Sequence, residues 1–317
     1  MLQPVLETIL VQSLGHSLTP LLAQVGIEAP EVSQSLTSSM NLFQAIILGI
    51  VQGLTEFLPI SSTAHLKIVP VALGWGDPGV TFTAVIQLGS IVAILWYFWE
   101  DLSTIVGGAY KALLAQKWRD RNFLLACWIM LGTIPIIVFG LLVKTFIPDF
   151  DSSPLRSSAA IALASIFMSL LLAWAELSSR HLRKFQSVTL RDGLFMGFAQ
   201  ALAIIPGVSR SGATLTAGLF TGLQRAAAAR FSFLLGLPAI TLAGVVELKD
   251  AVEAGPDGTS PFNLLIGTLV AVVASYVSIV WLLRYLQNRD TWIFVWYRLL
   301  FGVVILGAIG LRLLPNF

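Results

Sequence analysis

Six stretches of predominantly apolar residues constrain this chain more than any other feature of its sequence. They lie at about 80–99, 122–144, 157–176, 230–247, 262–284 and 292–314. A helix needs about 20 apolar residues to cross the hydrocarbon core of a bilayer. Only 11% of the residues are charged, whereas soluble domains carry about 25%. The sequence therefore predicts an all-α polytopic membrane protein.

Two further apolar regions are each interrupted by polar residues. The pieces are 42–60 with 64–73, separated by Ser61 to Thr63, and 193–206 with 212–222, separated by Gly207 to Ser211. No piece alone has the length that a crossing requires. Non-helical backbone survives at membrane depth only where it is buried in protein or lines a wet cavity. Each region is therefore predicted to form a re-entrant helical hairpin.

The two interrupted regions also resemble each other in sequence. With a one-residue gap, Gly49, Gln52, Leu54 and Pro59 have counterparts in Gly197, Gln200, Leu202 and Pro206. Three crossings follow the first region, and an odd number places the second half upside down. We therefore predict an inverted repeat, each half comprising a re-entrant hairpin and three transmembrane helices. The halves, about 41–176 and 190–314, form a single membrane domain over 41–317.

The distribution of Lys and Arg predicts the orientation of the chain. Loops 100–121, 177–192, 223–230 and 284–291 hold twelve, namely Lys111, Lys117, Arg119, Arg121, Arg180, Arg183, Lys184, Arg191, Arg225, Arg230, Arg284 and Arg289. The opposite side holds four, namely Lys144, Arg156, Lys249 and Arg312. The first set is therefore predicted to be cytoplasmic, with both termini outside. Residues 1–40 contain no Lys or Arg and are predicted to form an interfacial or extra-membranous extension.

Ionisable and polar side chains at membrane depth are costly and tend to be functional, which singles out the first interrupted region. Gln52 and Glu56 are four residues apart and share one face of a helix. Their oxygens suit a hard cation such as Mg²⁺ or Ca²⁺. The alternative is a hydrogen bond between helices without a metal.

The hydroxyl residues that follow permit two interpretations. Ser61, Ser62 and Thr63 precede a short predicted helix, where they could act as simple N-caps. A helix start also offers free N–H groups that attract phosphate. Ser62 can be a nucleophile if a base lies nearby. His65, one turn along the same face, is a candidate for that base or for the acid.

Arg210 is the residue of the second interrupted region that most strongly indicates a functional site. At membrane depth it needs a partner, which is either Glu56 or a phosphate held by its planar fork of donors. Other groups suited to phosphate are the hydroxyls of Ser209, Ser211 and Thr214 and the backbone at Gly207 and Gly212. Arg298 lies among aromatic residues and is predicted to be snorkelling or structural. Glu176 and Glu247, at the ends of spans, are predicted to face water.

Together the two polar stretches resemble the motifs of the bacterial undecaprenyl-diphosphate phosphatase family, also called the bacitracin-resistance protein family. The resemblance covers about residues 41–317. The first motif appears as QGLTE, from Gln52 to Glu56, and continues into SSTAH, from Ser61 to His65. The second appears as PGVSRSGAT, from Pro206 to Thr214. Gln52 stands where many members carry Glu, which leaves one fewer formal charge for a metal.

The resemblance implies an enzyme that hydrolyses undecaprenyl diphosphate to undecaprenyl phosphate and phosphate with a divalent cation, Mg²⁺ or Ca²⁺. The product carries precursors of cell-wall peptidoglycan, and bacitracin resistance follows because the drug sequesters the diphosphate. The family also implies an inverted-repeat fold and a homodimer. We expect a bacterial plasma (inner) membrane protein in contact with membrane lipid and not with nucleic acid. Its site is expected to open to the outer (periplasmic) face.

The residues are accordingly given roles. Ser62 is the preferred nucleophile, with Ser61 or water as alternatives, His65 is the acid and base, and Arg210 binds the phosphates. Glu56 positions His65 or the cation, assisted by Gln52. Further phosphate-binding residues are Ser61, Thr63, Gly207, Ser209, Ser211 and Thr214. The alternative function is an inverted-repeat transporter or flippase for a lipid phosphate, which does not need a Ser-His-Glu cluster beside an Arg.

Overall fold

The computed structural model describes residues 40–147, 150, 153–254 and 259–316, and in these ranges it contains eleven α-helices. They are α1 Leu42–Phe57, α2 Ser62–Ala72, α3 Val80–Tyr97, α4 Trp99–Leu114, α5 Arg121–Phe146, α6 Ser158–Ser178, α7 Leu190–Ala201, α8 Arg210–Phe220, α9 Arg225–Ala254, α10 Pro261–Asn288 and α11 Trp292–Gly310. The extension predicted for residues 1–40 lies, apart from Met40, outside the described residues.

Six of these helices, α3, α5, α6, α9, α10 and α11, are long and apolar enough to cross a membrane. They coincide with the six predicted spans, so the prediction of an all-α polytopic membrane protein is confirmed. The agreement is close because hydropathy is a local property of the sequence. Many large apolar side chains on these helices are exposed, as expected of surfaces that face lipid.

Helix α4 occupies most of the region 100–121, which was predicted only as a charged loop. Its first turn carries Glu100 and Asp101 and its last turn carries Lys111. Each charge complements the dipole at its end of the helix. Ile105 and Ala112 are its buried positions. The helix is therefore amphipathic and is held to the spans by one narrow face.

Both interrupted regions consist of two short helices joined by an unusual turn. Ser61 precedes α2 with a φ of 77°, and Ser209 precedes α8 with a φ of 70°. Each serine is an N-cap, and its Oγ accepts a hydrogen bond from a backbone N–H three residues later, at 3.4 Å for Ala64 and 3.1 Å for Gly212. Such a conformation in a residue other than glycine costs about 1–3 kcal/mol. The two turns therefore have similar backbone conformations and similar N-caps.

The first helix of each interrupted region packs closely on a long span. Helix α1 crosses α10, and α7 crosses α5. A Cβ atom on Gly49 would overlap the carbonyl oxygen of Gly267, and one on Gly197 would overlap that of Gly132. Small residues at such crossings let membrane helices approach closely. The predicted counterparts Gly49 and Gly197 therefore make similar contacts in the two halves.

Arg298 of α11 connects the two turns. It is completely buried, with 1% of its surface exposed, so snorkelling is excluded and the structural interpretation holds. Its donors reach four backbone carbonyls, those of Pro59 at 2.9 Å, Gly207 at 2.7 Å, Val208 at 2.9 Å and Ser165 at 3.4 Å. The turn carbonyls that have no donor within a helix thereby receive hydrogen bonds from Arg298. Backbone polar groups at membrane depth require such partners.

Ion pairs stabilise the helix ends on the side that is rich in Lys and Arg. Glu176 is buried and pairs with Arg225, so the prediction that Glu176 faces water is wrong. Asp192, in the first turn of α7, pairs with Arg183 at 2.7 Å. Burial alone would raise the pKa of the Asp192 carboxyl, but hydrogen bonds from Arg183 and Thr189 outweigh burial and lower the pKa.

Candidate active site

The starts of α2 and α8 border a polar cavity of about 160 Å³. Its polar lining consists of Glu56, Ser61, Ser62, Thr63, Gln87, Ser209, Arg210 and Glu247. Most of these residues belong to the two motifs, which are separated by about 150 residues of sequence. Both helix starts bring free backbone N–H groups and positive dipole character to this region, which favours an anion.

Glu56, in the last turn of α1, connects the two motifs directly. Its Oε2 accepts hydrogen bonds from the Ser62 hydroxyl at 2.7 Å and from the Gln52 amide at 3.3 Å. Its Oε1 accepts one from Nη2 of Arg210 at 3.2 Å. A carboxylate that accepts a serine proton in this way can act as the base that activates the hydroxyl. The geometry therefore gives Ser62 a partner suited to a nucleophile.

Arg210 uses only part of its guanidinium in the pair with Glu56. Both side chains are 10% exposed, and Nη1 of Arg210 is buried without a hydrogen-bond partner in the described residues. The guanidinium lies against Gly236 of α9, where a Cβ atom would overlap Nη1. A buried donor without an acceptor is unfavourable by about 1–3 kcal/mol or more. A phosphate oxygen is the kind of acceptor that an Arg fork binds well.

His65 does not contact the Ser62 hydroxyl. Its Nδ1 lies 2.7 Å from the carbonyl oxygen of Ser61, and its Nε2 lies 2.6 Å from the Tyr297 hydroxyl. The ring also stacks on Phe301 at a centroid distance of 4.3 Å, and His65 is not among the cavity-lining residues. The observed contacts therefore fix the first turn of α2 against α11, and they give no support to a role as acid or base.

Four other predicted residues shape the turns behind the cavity. The Thr214 hydroxyl donates to the carbonyl of Arg210 at 2.8 Å. Ser211 donates to the carbonyl of Leu58 at 3.0 Å and so ties the second turn to the first. Gly207 has a φ of 92° and passes so close to Ile161 that a side chain would not fit. Gln52 also donates to Ser90 at 3.2 Å. The structure brings the motif residues together, but these four lie outside the cavity lining.

The oxygen groups of the cavity fit a cation that is shared with a ligand. In the described part of the chain, no three His, Cys, Asp or Glu side chains gather into a metal site. Glu56 and the neighbouring hydroxyls are hard oxygen ligands of the type that Mg²⁺ and Ca²⁺ accept, usually together with phosphate oxygens. The amide nitrogen of Gln52, not its oxygen, faces Glu56. A ligand role for Gln52 therefore stays a prediction.

Glu247 and Gln87 line the cavity, although neither was predicted from the sequence to do so. Glu247 was expected to face water, but it lines the cavity with Glu56 and Ser62. No local pattern distinguishes Glu247 from Glu253, which lies further along α9 and pairs with Lys249 on the surface. The difference comes from the packing of α9 beside the turns, which hydropathy does not encode.

These features define a polytopic helical membrane protein whose interrupted helices form a polar cavity lined by serine, arginine and glutamate side chains. The chain belongs to the family described as bacitracin resistance protein BacA, whose model matches residues 45–304. Both family motifs lie within the matched range. The family assignment rests on this match over most of the membrane domain and not on any single cavity residue.

Similar proteins with the name undecaprenyl-diphosphatase occur in several bacteria. The chain is 57% identical over 310 residues to the protein of Nostoc sp. (strain PCC 7120), which covers 97% of each chain. It is 61% identical over 277 residues to that of Trichormus variabilis, covering 87% of each. It is 61% identical over 285 residues to that of Synechococcus elongatus, covering 90% of this chain and 99% of the relative. The Nostoc alignment necessarily extends into residues 1–40.

Proposed function

We propose that this protein is an undecaprenyl-diphosphate phosphatase, which hydrolyses undecaprenyl diphosphate to undecaprenyl phosphate and phosphate. The name shared by its relatives supports this activity. The observation that carries it is one cavity bordered by a serine hydrogen-bonded to a carboxylate and by an arginine that has one donor without a partner in the described residues. In this role the enzyme recycles the lipid carrier of cell-wall synthesis and confers bacitracin resistance.

Glu56 is the base in the mechanism that we propose. It accepts the proton of Ser62 while Oγ attacks the terminal phosphorus, and the bond to the bridging oxygen breaks to release undecaprenyl phosphate. Glu56 passes this proton to the departing undecaprenyl phosphate and is a carboxylate again. Water then attacks the phosphoserine and gives a proton to Glu56, which returns it to Oγ of Ser62 as phosphate leaves. Direct attack by water, activated by Glu56, is the variant without a covalent intermediate. Either route gives the base role to Glu56 and leaves His65 as a positioning residue.

Arg210 and the helix starts stabilise the charge that develops on the phosphoryl oxygens. Arg210 borders the cavity, and its Nη1 is a buried donor without a partner in the described residues, so it can donate to a phosphoryl oxygen as a new partner. Backbone N–H groups at the starts of α2 and α8 add positive dipole character. Glu56 would hold the proposed Mg²⁺ or Ca²⁺ together with oxygens of the diphosphate. The cation would supply further neutralisation of the phosphate charge.

An apolar groove beside the cavity fits the isoprenoid tail. The groove has a volume of about 620 Å³ and is lined by apolar side chains of α5, α6, α7 and α8, including Phe139, Phe195 and Phe198. Ile205 borders both the groove and the polar cavity. A lipid diphosphate can therefore place its head group at Ser62 while its first isoprene units follow the groove towards the bilayer.

The similar turns at Ser61 and Ser209 support an inverted repeat of two re-entrant hairpins, as do the matched glycine crossings of α1 and α7. The orientation follows from the charge distribution. Glu247 lines the cavity and lies near the end of α9, on the side that carries few Lys and Arg residues. We therefore propose that the cavity opens to the outer face of the plasma (inner) membrane. The homodimer that the family resemblance implies stays a prediction.

Release of phosphate from undecaprenyl diphosphate by purified protein in detergent tests the proposed activity. The alternative, a transporter or flippase for a lipid phosphate, predicts movement of the lipid in proteoliposomes and no phosphate release. The Glu56→Gln variant, which lacks the base of both routes, is the control for a contaminating phosphatase. Equal release by wild type and Ser62→Ala would contradict the serine mechanism, and no release by either would contradict the hydrolase.

A further inference from the structure

Glu247 is the charged cavity residue that has no task in the proposed mechanism. It lies near the end of a 30-residue helix, α9, yet it lines the same cavity as Ser62 and Glu56. No residue of the described ranges donates a hydrogen bond to its carboxylate. The Glu56 carboxylate lines the same cavity from α1. Two acidic side chains from different helices therefore face one small polar space.

An independent feature of the cavity points to a ligand of negative charge. Arg210 lines the cavity, its side chain is nine-tenths buried, and its Nη1 has no acceptor in the described part of the chain. The ligand is a diphosphate if the proposed function is correct. A diphosphate would add its negative charge to a space that is already bordered by two carboxyl groups and one guanidinium. A cation in the same space would offset that added charge.

The first motif by itself supplies a single carboxylate to that cation. Gln52 donates its amide to Glu56 and Ser90, so it acts as a donor that holds Glu56. Hard divalent cations such as Mg²⁺ prefer one or two carboxylates, and their other ligands are usually phosphate oxygens and water. Glu247 is the carboxylate that is available to complete such a set.

We propose that Glu247 is the second carboxylate ligand of the divalent cation that accompanies the diphosphate, with Glu56 as the first. The proposal rests on the proposed function, because the diphosphate supplies the remaining ligands. It gives α9 a direct part in the site. It also explains why a carboxylate at this position remains without a hydrogen-bond donor. The cation is bound weakly to the protein alone, because Arg210 offsets the charge of Glu56.

Binding of Mn²⁺ to detergent-purified protein, measured by electron paramagnetic resonance, tests this proposal without turnover. Methylenediphosphonate serves as a diphosphate that cannot be hydrolysed. We expect the diphosphonate to strengthen Mn²⁺ binding to the wild type. Glu247→Gln should weaken the binding by about tenfold or more, corresponding to about 1.4 kcal/mol. Glu253→Gln is the matched control on the same helix, and it should bind Mn²⁺ as the wild type does.

Wild-type Mn²⁺ affinity in folded Glu247→Gln would overturn the proposal, as would the absence of Mn²⁺ binding to the wild type with the diphosphonate. Folding is checked by thermal melting and size-exclusion chromatography. If Glu247→Gln does not fold, Glu247→Asp decides, because a shortened carboxylate should alter the Mn²⁺ spectrum and an unchanged spectrum would refute ligation. Phosphate release by the wild type is measured separately. Failure of the proposed function is thereby distinguishable from failure of the Glu247 assignment.

Discussion

The Ser62 hydroxyl donates a 2.7 Å hydrogen bond to Oε2 of Glu56, and the two residues belong to different helices of one interrupted region. The unusual φ of Ser61 turns the chain between these helices, so that the first residue of α2 faces the last turn of α1. This arrangement pairs a hydroxyl with a base at the start of a helix, where anions are favoured.

The Ser62→Ala variant should lose nearly all phosphate release, because no other aligned hydroxyl would replace the attacking Oγ. Removal of a serine nucleophile from a hydrolase commonly lowers kcat by about 10³-fold or more. Ser61→Ala is the matched control, since its Oγ caps α2 and it should retain measurable turnover. Rates are compared at equal amounts of folded protein. Near-normal turnover in Ser62→Ala would favour water, activated by Glu56, as the nucleophile.

Arg210→Lys should lower turnover by about 10²-fold, because one charge-stabilising donor commonly contributes about 3 kcal/mol to the transition state. Lysine keeps the charge but lacks the fork that bonds Glu56 and a phosphate together. The exposed Arg191 of α7 provides the matched control, and Arg191→Lys should be near normal. The measurement is the rate of phosphate release with undecaprenyl diphosphate. An unchanged rate in Arg210→Lys would make Arg210 a structural partner of Glu56.

Arg298→Met should destabilise the protein, because it leaves carbonyl groups in both turns without a donor. Each buried acceptor that loses its partner costs about 1–3 kcal/mol, and Arg298 serves three in the two turns. We expect a clear fall in Tm in detergent together with loss of activity. The exposed Arg289 is the control, and Arg289→Met should melt as the wild type does. A wild-type Tm in Arg298→Met would contradict the bridging role.

Removal of divalent cations should abolish phosphate release. Glu56 forms an ion pair with Arg210, so cation binding is expected to depend on the phosphates of the substrate. Activity should return with Mg²⁺ or Ca²⁺ on the order of 10⁻³ M, as for weak sites of this type. A chelator already saturated with Mg²⁺ is the control for direct inhibition. Full activity in excess chelator would remove the cation from the mechanism.

Single-cysteine labelling should place the loop after α4 in the cytoplasm, as the twelve-to-four charge distribution predicts. In a Cys127→Ser background, a cysteine at position 117 should resist an impermeant thiol reagent in intact cells and react after permeabilisation. A cysteine at position 253 should react in intact cells. The reverse pattern would mean that the cavity faces the cytoplasm.

Local properties of the sequence were sufficient to predict much of the fold and many residues of the candidate site. Six spans, two interrupted regions and the residues of both motifs were all predictable, because hydropathy and helix-breaking residues act over short distances. The pairing of Arg210 with Glu56 was one of two alternatives that the sequence left open. The structure shows one guanidinium nitrogen in that pair and another that has no partner within the described part of the chain.

The tertiary structure alone decided which side chains face the cavity. Glu247 faces it and His65 does not, although His65 is close to Ser62 in sequence and Glu247 is remote. Arg298 likewise bridges the two turns. It donates to the carbonyl of Gly207, more than 90 residues away along the chain, and to that of Pro59, more than 200 residues away. The rotation of a helix about its own axis is set by the helices that pack against it, and in an apolar sequence the periodicity that would reveal this rotation is weak.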